Sequence, residues 1–132
     1  MEDFILREID KIGTLLRALL ERAGMLVHSD DPGEMLAVVR TELLEGLGTE
    51  LDALLDDPDP GRRLAERHGF REEHLEQFAR LLFELVAAEP QRTERCRMAR
   101  AIAAIHRYLD EQRAPVSFDR YRILAALNEY LE

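Results

Sequence analysis

The side chains whose chemistry extends to metal binding, proton transfer or nucleophilic attack are His28, His68, His74 and His106, one cysteine, Cys96, and the serines Ser29 and Ser117. Their spacing restricts all three. The di-iron sites of helical bundles take paired Glu-x-x-His ligands, and no histidine here has a glutamate three residues before it; His-Glu-x-x-His and Cys-x-x-Cys are absent as well. Neither serine stands in a Gly-x-Ser-x-Gly elbow, and each falls where a loop or helix cap is expected. Cys96 has no second cysteine to pair with and lies inside a predicted helix, away from a helix start that would lower its pKa, so it reads as a small packed side chain.

His106 and Asp110 lie one turn apart on a predicted helix, which suits two ligands, an acid–base pair or a simple groove hydrogen bond. The last is the plainest use. Asp56-Asp57-Pro58-Asp59-Pro60-Gly61 invites a calcium loop, but a series starting at Asp57 meets Gly61 at its third ligand and His68 where a bidentate glutamate belongs. Asp59 as a helix cap, with Pro60 at the first helical position, fits better. Gly46-Leu47-Gly48 is too short for a phosphate cradle and has no Lys-Ser or Lys-Thr after it, so it reads as a helix end. We therefore expect no metal and no cofactor.

The remaining chemistry is charge. Arg92, Arg95, Arg97, Arg100, Arg107 and Arg113 belong to the sixth predicted helix, and four of them, Arg92, Arg95, Arg97 and Arg100, suit an acidic peptide, nucleic acid or the chain's own acidic first half. Residues 1–60 hold fifteen acidic against five basic side chains, whereas residues 61–115 hold nine against eleven. An ion-pair network between the two parts is the economical reading, since arginine pairs bidentately with carboxylates. The net charge of −9 argues against nucleic acid, which needs a concentrated positive stripe.

These groups must be placed by helices. With 132 residues, 46% hydrophobic and 34% charged, the chain has the composition of one globular domain rather than of a disordered segment. No apolar run approaches the about 20 residues that cross a bilayer, and Met1-Glu2-Asp3 is acidic where a secretory signal is basic, so we expect a cytoplasmic protein with no membrane association. A first helix from about Asp3 to Ala23 repeats Ile5, Ile9, Ile12, Leu16, Leu19 and Ala23 at spacings of four and three, with Phe4, Leu6, Leu15 and Leu20 widening the stripe enough for two neighbours; Gly24 is its expected cap.

Asp31-Pro32-Gly33-Glu34 opens a second helix with Leu36, Val39 and Leu43, and Met35, Val38 and Leu47 beside them. Thr49 is expected to cap a short third helix carrying Leu51, Leu54 and Leu55, and a fourth ends at Gly69. The fifth, about Arg71 to Ala88, aligns Leu75, Phe78, Ala79, Leu82, Leu85 and Val86. In the sixth, about Gln91 to Gln112, alanines flank Met98, Ile102, Ile105 and Leu109, which marks it as the central helix. Ser117 caps the seventh, whose expected face is Tyr121, Leu124, Leu127 and Leu131.

Leu75, Phe78, Ala79 and Leu82 followed by Ala104 and Tyr108 resemble in part the two helices of a tetratricopeptide (TPR) repeat, although Pro90 falls between the helices and no copy recurs 34 residues on. More widely, Asp3 to Gly13, Phe70 to Leu85 and Ser117-Phe118-Asp119-Arg120 resemble a family of short uncharacterised bacterial all-helical proteins with a TPR-like C-terminal half. The resemblance implies a helical, TPR-like fold and brings no activity or functional residues with it.

Together these observations predict an all-α single domain of about seven helices over 1–132, with residues 1–57 packing on 61–132. The expected role is a non-catalytic scaffold or protein-interaction module that binds a protein or peptide in a groove on the sixth helix, through Arg97, Arg100, His106, Arg107 and Tyr108. Two rivals stand beside it: a homodimer through the first helix, and an enzyme or ligand-binding protein whose site assembles His74, His106 and several glutamates from distant positions.

Overall fold

A computed structural model describes the backbone of residues 2–26 and 32–131, and the side chains of residues 11–25, 33–118 and 120–130. These residues form seven helices: α1 (Glu2–Leu26), α2 (Pro32–Leu47), α3 (Leu51–Asp56), α4 (Pro60–His68), α5 (Glu72–Ala88), α6 (Arg92–Glu111) and α7 (Phe118–Leu131). No strand occurs among the described residues. The protein is all-α, as its apolar periodicity requires.

The apolar stripes meet in one contiguous core running from Ile12 to Leu127. On α1 the described half of the stripe, Ile12, Leu16, Leu19 and Ala23, is buried, and the helix packs on α2 and α5. That explains a stripe wider than one partner needs. Ile5, Ile9, Phe4 and Leu6 lie outside the described side chains, as do His28, Ser29 and the expected Asp31 cap. Residues four apart on α2, Met35, Val39 and Leu43, face the core while Leu36 and Val38 are half-buried. All six apolar positions expected on α5 are buried, with Leu81 besides.

α5 touches α1, α2, α4, α6 and α7, and α6 touches α3, α4, α5 and α7, so the centre is this pair rather than α6 alone. Alanines at 99, 101 and 104 let neighbours close on α6. So does Gly61, where a Cβ would stand 2.8 Å from the Cβ of Tyr108; any larger residue there would push α4 off α6.

Helix ends follow local chemistry, with three corrections. α4 begins as expected: Asp59 accepts from the Arg62 amide at 3.3 Å, and Pro60 occupies the first turn. It ends at Gly69, whose φ of 72° is the left-handed region. Ser117 Oγ accepts from the Arg120 amide at 3.0 Å and caps α7. Gly24, however, does not end α1, which continues to Leu26 with Gly24 in helical conformation; a left-handed glycine stands instead just past α2, at Gly48, φ 68°. Thr49 does not cap α3. Glu50 occupies that position, and the Thr49 hydroxyl is buried without a partner.

The third correction decides the site. Tyr121 and Leu124, expected on the buried face of α7, are 70% and 41% exposed, while Arg120, Ile123 and Leu127 are buried. Tyr130 packs half-buried against the core, edge-on to Phe83 at 6.4 Å. The sequence offers two overlapping stripes a third of a turn apart. Packing on α5 and α6 selects the one that contains an arginine.

Candidate functional site

The five residues expected in one groove occupy three different sides of α6. At 100° per residue, His106 lies half a turn around the helix from Arg97, and Arg100 and Arg107 fall between them on the exposed face. Arg97 and Arg100 share a shallow depression with Asp56, Arg92, Thr93 and Cys96. Tyr108 lines a separate one with Phe70, Leu75 and Gln112, and the Arg62 guanidinium lies over its ring at 5.5 Å. His106 belongs to neither.

Arg97 is engaged within the chain. Its Nε and Nη2 hold the two carboxylate oxygens of Asp56 at 2.9 and 2.8 Å, and Nη1 reaches Asp52 at 3.0 Å and Glu94 at 3.4 Å. Arg40 from α2 meets the other oxygen of Asp52 at 2.6 Å. The Arg40 hydrogen bond, aided by Arg97 against the desolvation of partial burial, holds the Asp52 carboxyl below its ordinary pKa. This is the ion-pair network between the acidic and basic parts that the charge distribution implies. Arg95 turns instead to the end of α5 and donates to the carbonyls of Glu89 and Pro90, both at 2.9 Å.

The aspartate-rich break is equally occupied. Asp57 accepts from the Asp59 amide at 2.7 Å and pairs with Arg63 at 3.2 Å, while Asp59 serves Arg62. Its carboxylates are turned to protein donors. Among the described residues no group of three or more histidine, cysteine or acidic side chains is arranged to hold a metal ion. Cys96 is half-buried and donates through Sγ to the Tyr130 carbonyl at 3.1 Å, tying α6 to the end of α7.

His74, a candidate for a dispersed site, is part of the helix architecture. Its Nδ1 accepts from the Arg71 amide at 3.0 Å, the return arm of a capping box, and its ring stands edge-on to Phe70. His106 differs. It lines a cleft of ≈ 430 Å3 between α5, α6 and α7, together with Glu73, Glu76, Gln77, Arg80, Ser117, Phe118, Arg120 and Ile123.

Two side chains set the character of this cleft. Arg120 is 1% exposed, and only its Nη2 is used, on the Asp110 carboxylate and the Ala114 carbonyl at 3.2 and 3.3 Å. Asp110 is thus drawn to Arg120, and the His106–Asp110 pairing suggested by their spacing is replaced by one across α6 and α7. His106 is 2% exposed; burial, with the Arg120 charge adding to it and Asp110 opposing, pushes its pKa down to about 4. It is neutral at physiological pH, with one ring nitrogen free to donate or accept. Phe118 stands at the rim, 83% exposed.

Sequence reasoning found His106 and missed Arg120. The available signal was its position: Arg120, Ile123, Leu127 and Tyr130 recur at helical spacing, so a cation replaces the first apolar residue of a stripe. Compared with known proteins, the chain matches no family model, and no curated protein or solved structure matches it significantly.

Proposed function

We propose that this chain is a non-catalytic helical interaction module, and that its working surface is the α5–α6–α7 cleft with the exposed side of α7 as its lip. A protein partner would lay an apolar residue on Phe118 and Tyr121 and direct a polar group inward. One observation carries this reading: a strongly exposed aromatic at the rim of a cleft whose walls include a buried cation and a buried neutral histidine. Isolated exposed apolar residues need no explanation, but Val116, Phe118, Tyr121 and Leu124 are exposed together around the start of α7. Aromatic and arginine side chains are the usual anchors of interfaces.

The TPR-like view of the C-terminal half belongs to this proposal. Its support is the α5–α6 pair, joined through residues 89–91 and in more extensive contact than any other two helices. The cytoplasmic setting is likewise part of it, supported by the acidic composition; among the described residues no helix is long and apolar enough to cross a membrane. Because the cleft gathers His106 with Glu73 and Glu76, it also supports a ligand-binding site assembled from distant residues. For a dimer through α1 the structure offers less, since Ile12, Leu16, Leu19 and Ala23 are consumed inside the chain.

Selection of displayed peptides against the immobilised full chain tests the module. We expect enriched sequences to share an apolar anchor and to lose binding to Phe118→Ser and Tyr121→Ser proteins that melt like the parent. Selected peptides that ignore both substitutions would show that the lip is not the docking surface.

A further inference from the structure

Seven buried side-chain nitrogen or oxygen atoms lack a hydrogen-bond partner among the described residues, and five of them belong to residues of this one cleft: Arg120 Nε and Nη1, His106 Nδ1, Glu76 Oε1 and Gln77 Oε1. A buried polar atom left unpaired costs about 1–3 kcal/mol, so such atoms are scarce and a concentration of them marks a place built to be completed from outside. Their chemistry specifies what completes it. Arginine only donates, the Glu76 and Gln77 oxygens only accept, and neutral His106 does either. The occupant must therefore carry an acceptor and a donor close together.

Charge narrows the choice. Arg80 and Arg120 face Glu73, Glu76 and Asp110 around the cleft, so it holds no surplus positive charge: a dianion such as a phosphate monoester is repelled more strongly than a monoanion, which needs only the one cation of Arg120 beside it. The volume of ≈ 430 Å3 is that of a small-ligand pocket, with Ile123 and Phe118 as apolar wall. A peptide's last residue presents this combination on one unit: a carboxylate, its own amide N–H next to it, and a side chain.

We propose that the cleft receives the free C-terminal carboxylate of a peptide, with Arg120 as its cation, Gln77 as the acceptor for the one N–H of the adjoining amide, and the last side chain against Ile123 and Phe118. This rests on the interaction-module reading and names the group that the module recognises. Arg120 is held for the task, because Asp110 and the Ala114 carbonyl fix one end of the guanidinium and leave Nε and Nη1 for the ligand. His106, uncharged, adds a hydrogen bond without adding to the local positive charge.

The test uses the isotope-labelled full chain and three sets of acetylated tripeptides: ones ending in each apolar residue with a free carboxylate, the same peptides as C-terminal amides, and acetyl-Gly-Glu-Gly-amide. Chemical-shift titration should show a free acid perturbing α5, α6 and α7 resonances, with amidation weakening binding about tenfold or more, the size of one charged hydrogen bond. Arg120→Met should abolish the preference for the acid. If that variant does not fold, Gln77→Leu, at a half-buried position, should weaken the same peptides, and the acid-to-amide ratio on the parent protein stands independently of either. Equal binding of acid and amide that is still lost in Phe118→Ser would overturn the carboxylate assignment and leave the module intact. Preference for the internal glutamate would also overturn it, by placing a side chain rather than a chain end in the cleft. No binding by any peptide would overturn both.

Discussion

On one side of α6, Arg97 distributes its guanidinium over Asp52, Asp56 and Glu94, and Arg40 completes the set from α2, so that each long cationic side chain meets a carboxylate. Half a turn around the same helix, Arg120 and His106 are buried far more deeply and are satisfied far less. The first cluster lies where water still reaches between a quarter and two-thirds of each partner's side chain, so its pairs form at little cost and with little effect. The second takes charge and polarity out of water without full compensation, which stability alone does not favour. A fold that keeps such a cluster is better explained by something it binds than by its own packing.

Four perturbations separate the two regions, the first being the largest. His106 has a folded pKa of about 4 against an ordinary value of 6.5, so the unfolded chain takes up the proton first. Stability is fully present above pH 6.5, falls as pH drops towards 4, and loses up to about 3 kcal/mol over that window. Around His106 stand Arg120 from α7, Asp110 from α6, and Glu73, Glu76 and Arg80 from α5. Urea denaturation at pH 7 and pH 4.5 should show the fall, and His106→Gln should remove most of it; an equal fall in the variant would mean that carboxylates account for it.

Next, Arg120→Met should leave the protein as stable or raise it by about 1–2 kcal/mol, because the Asp110 it releases is 64% exposed and readily hydrated while two unpaired nitrogens leave the core. The same change removes one cause of the low His106 pKa, which should move upward in a histidine NMR titration while remaining below 6.5. A loss of several kcal/mol would instead make Arg120 a structural residue.

Arg97→Met, in the satisfied cluster, should cost about 1 kcal/mol or less, and 0.5 M salt (roughly a 4 Å screening length) should shrink the difference between variant and parent. Salt-insensitive loss would show that Arg97 acts by packing its stem rather than by charge. The smallest effect belongs to the lip: Phe118→Ser should change stability by no more than about 0.5 kcal/mol, since most of the ring is already in water. Thermal melts decide it, and a large drop would place Phe118 in the fold rather than at a binding surface.

The amphipathic faces of α5, α6 and the described part of α1 were legible in the chain, whereas on α2 the core takes Met35 with Val39 and Leu43 where Leu36 was expected. Leu75 to Val86 on α5 and Met98 to Leu109 on α6 have one strong stripe each, so periodicity alone picks their buried side. Caps with local partners, Asp59 and Ser117, were also legible, because their hydrogen bonds span three residues. α7 was not. Tyr121-Leu124-Leu127 and Arg120-Ile123-Leu127-Tyr130 are both helical stripes, and counting apolar residues favours the wrong one. The five candidate groove residues are not brought together for a related reason: residues on one helix were grouped by sequence proximity although Arg97 and His106 point to opposite sides.

What the sequence by itself determined is therefore the set of helices, where most of them stop, and which side of each strongly patterned one avoids water, since these depend on backbone periodicity and on partners a few residues away. Only the tertiary structure decided which way α7 is rolled, and hence that Arg120 meets His106, Glu76 and Gln77 in a cleft. That choice depends on how well whole faces of α5 and α6 fit it, a sum over contacts between residues far apart in the chain, which no local pattern encodes.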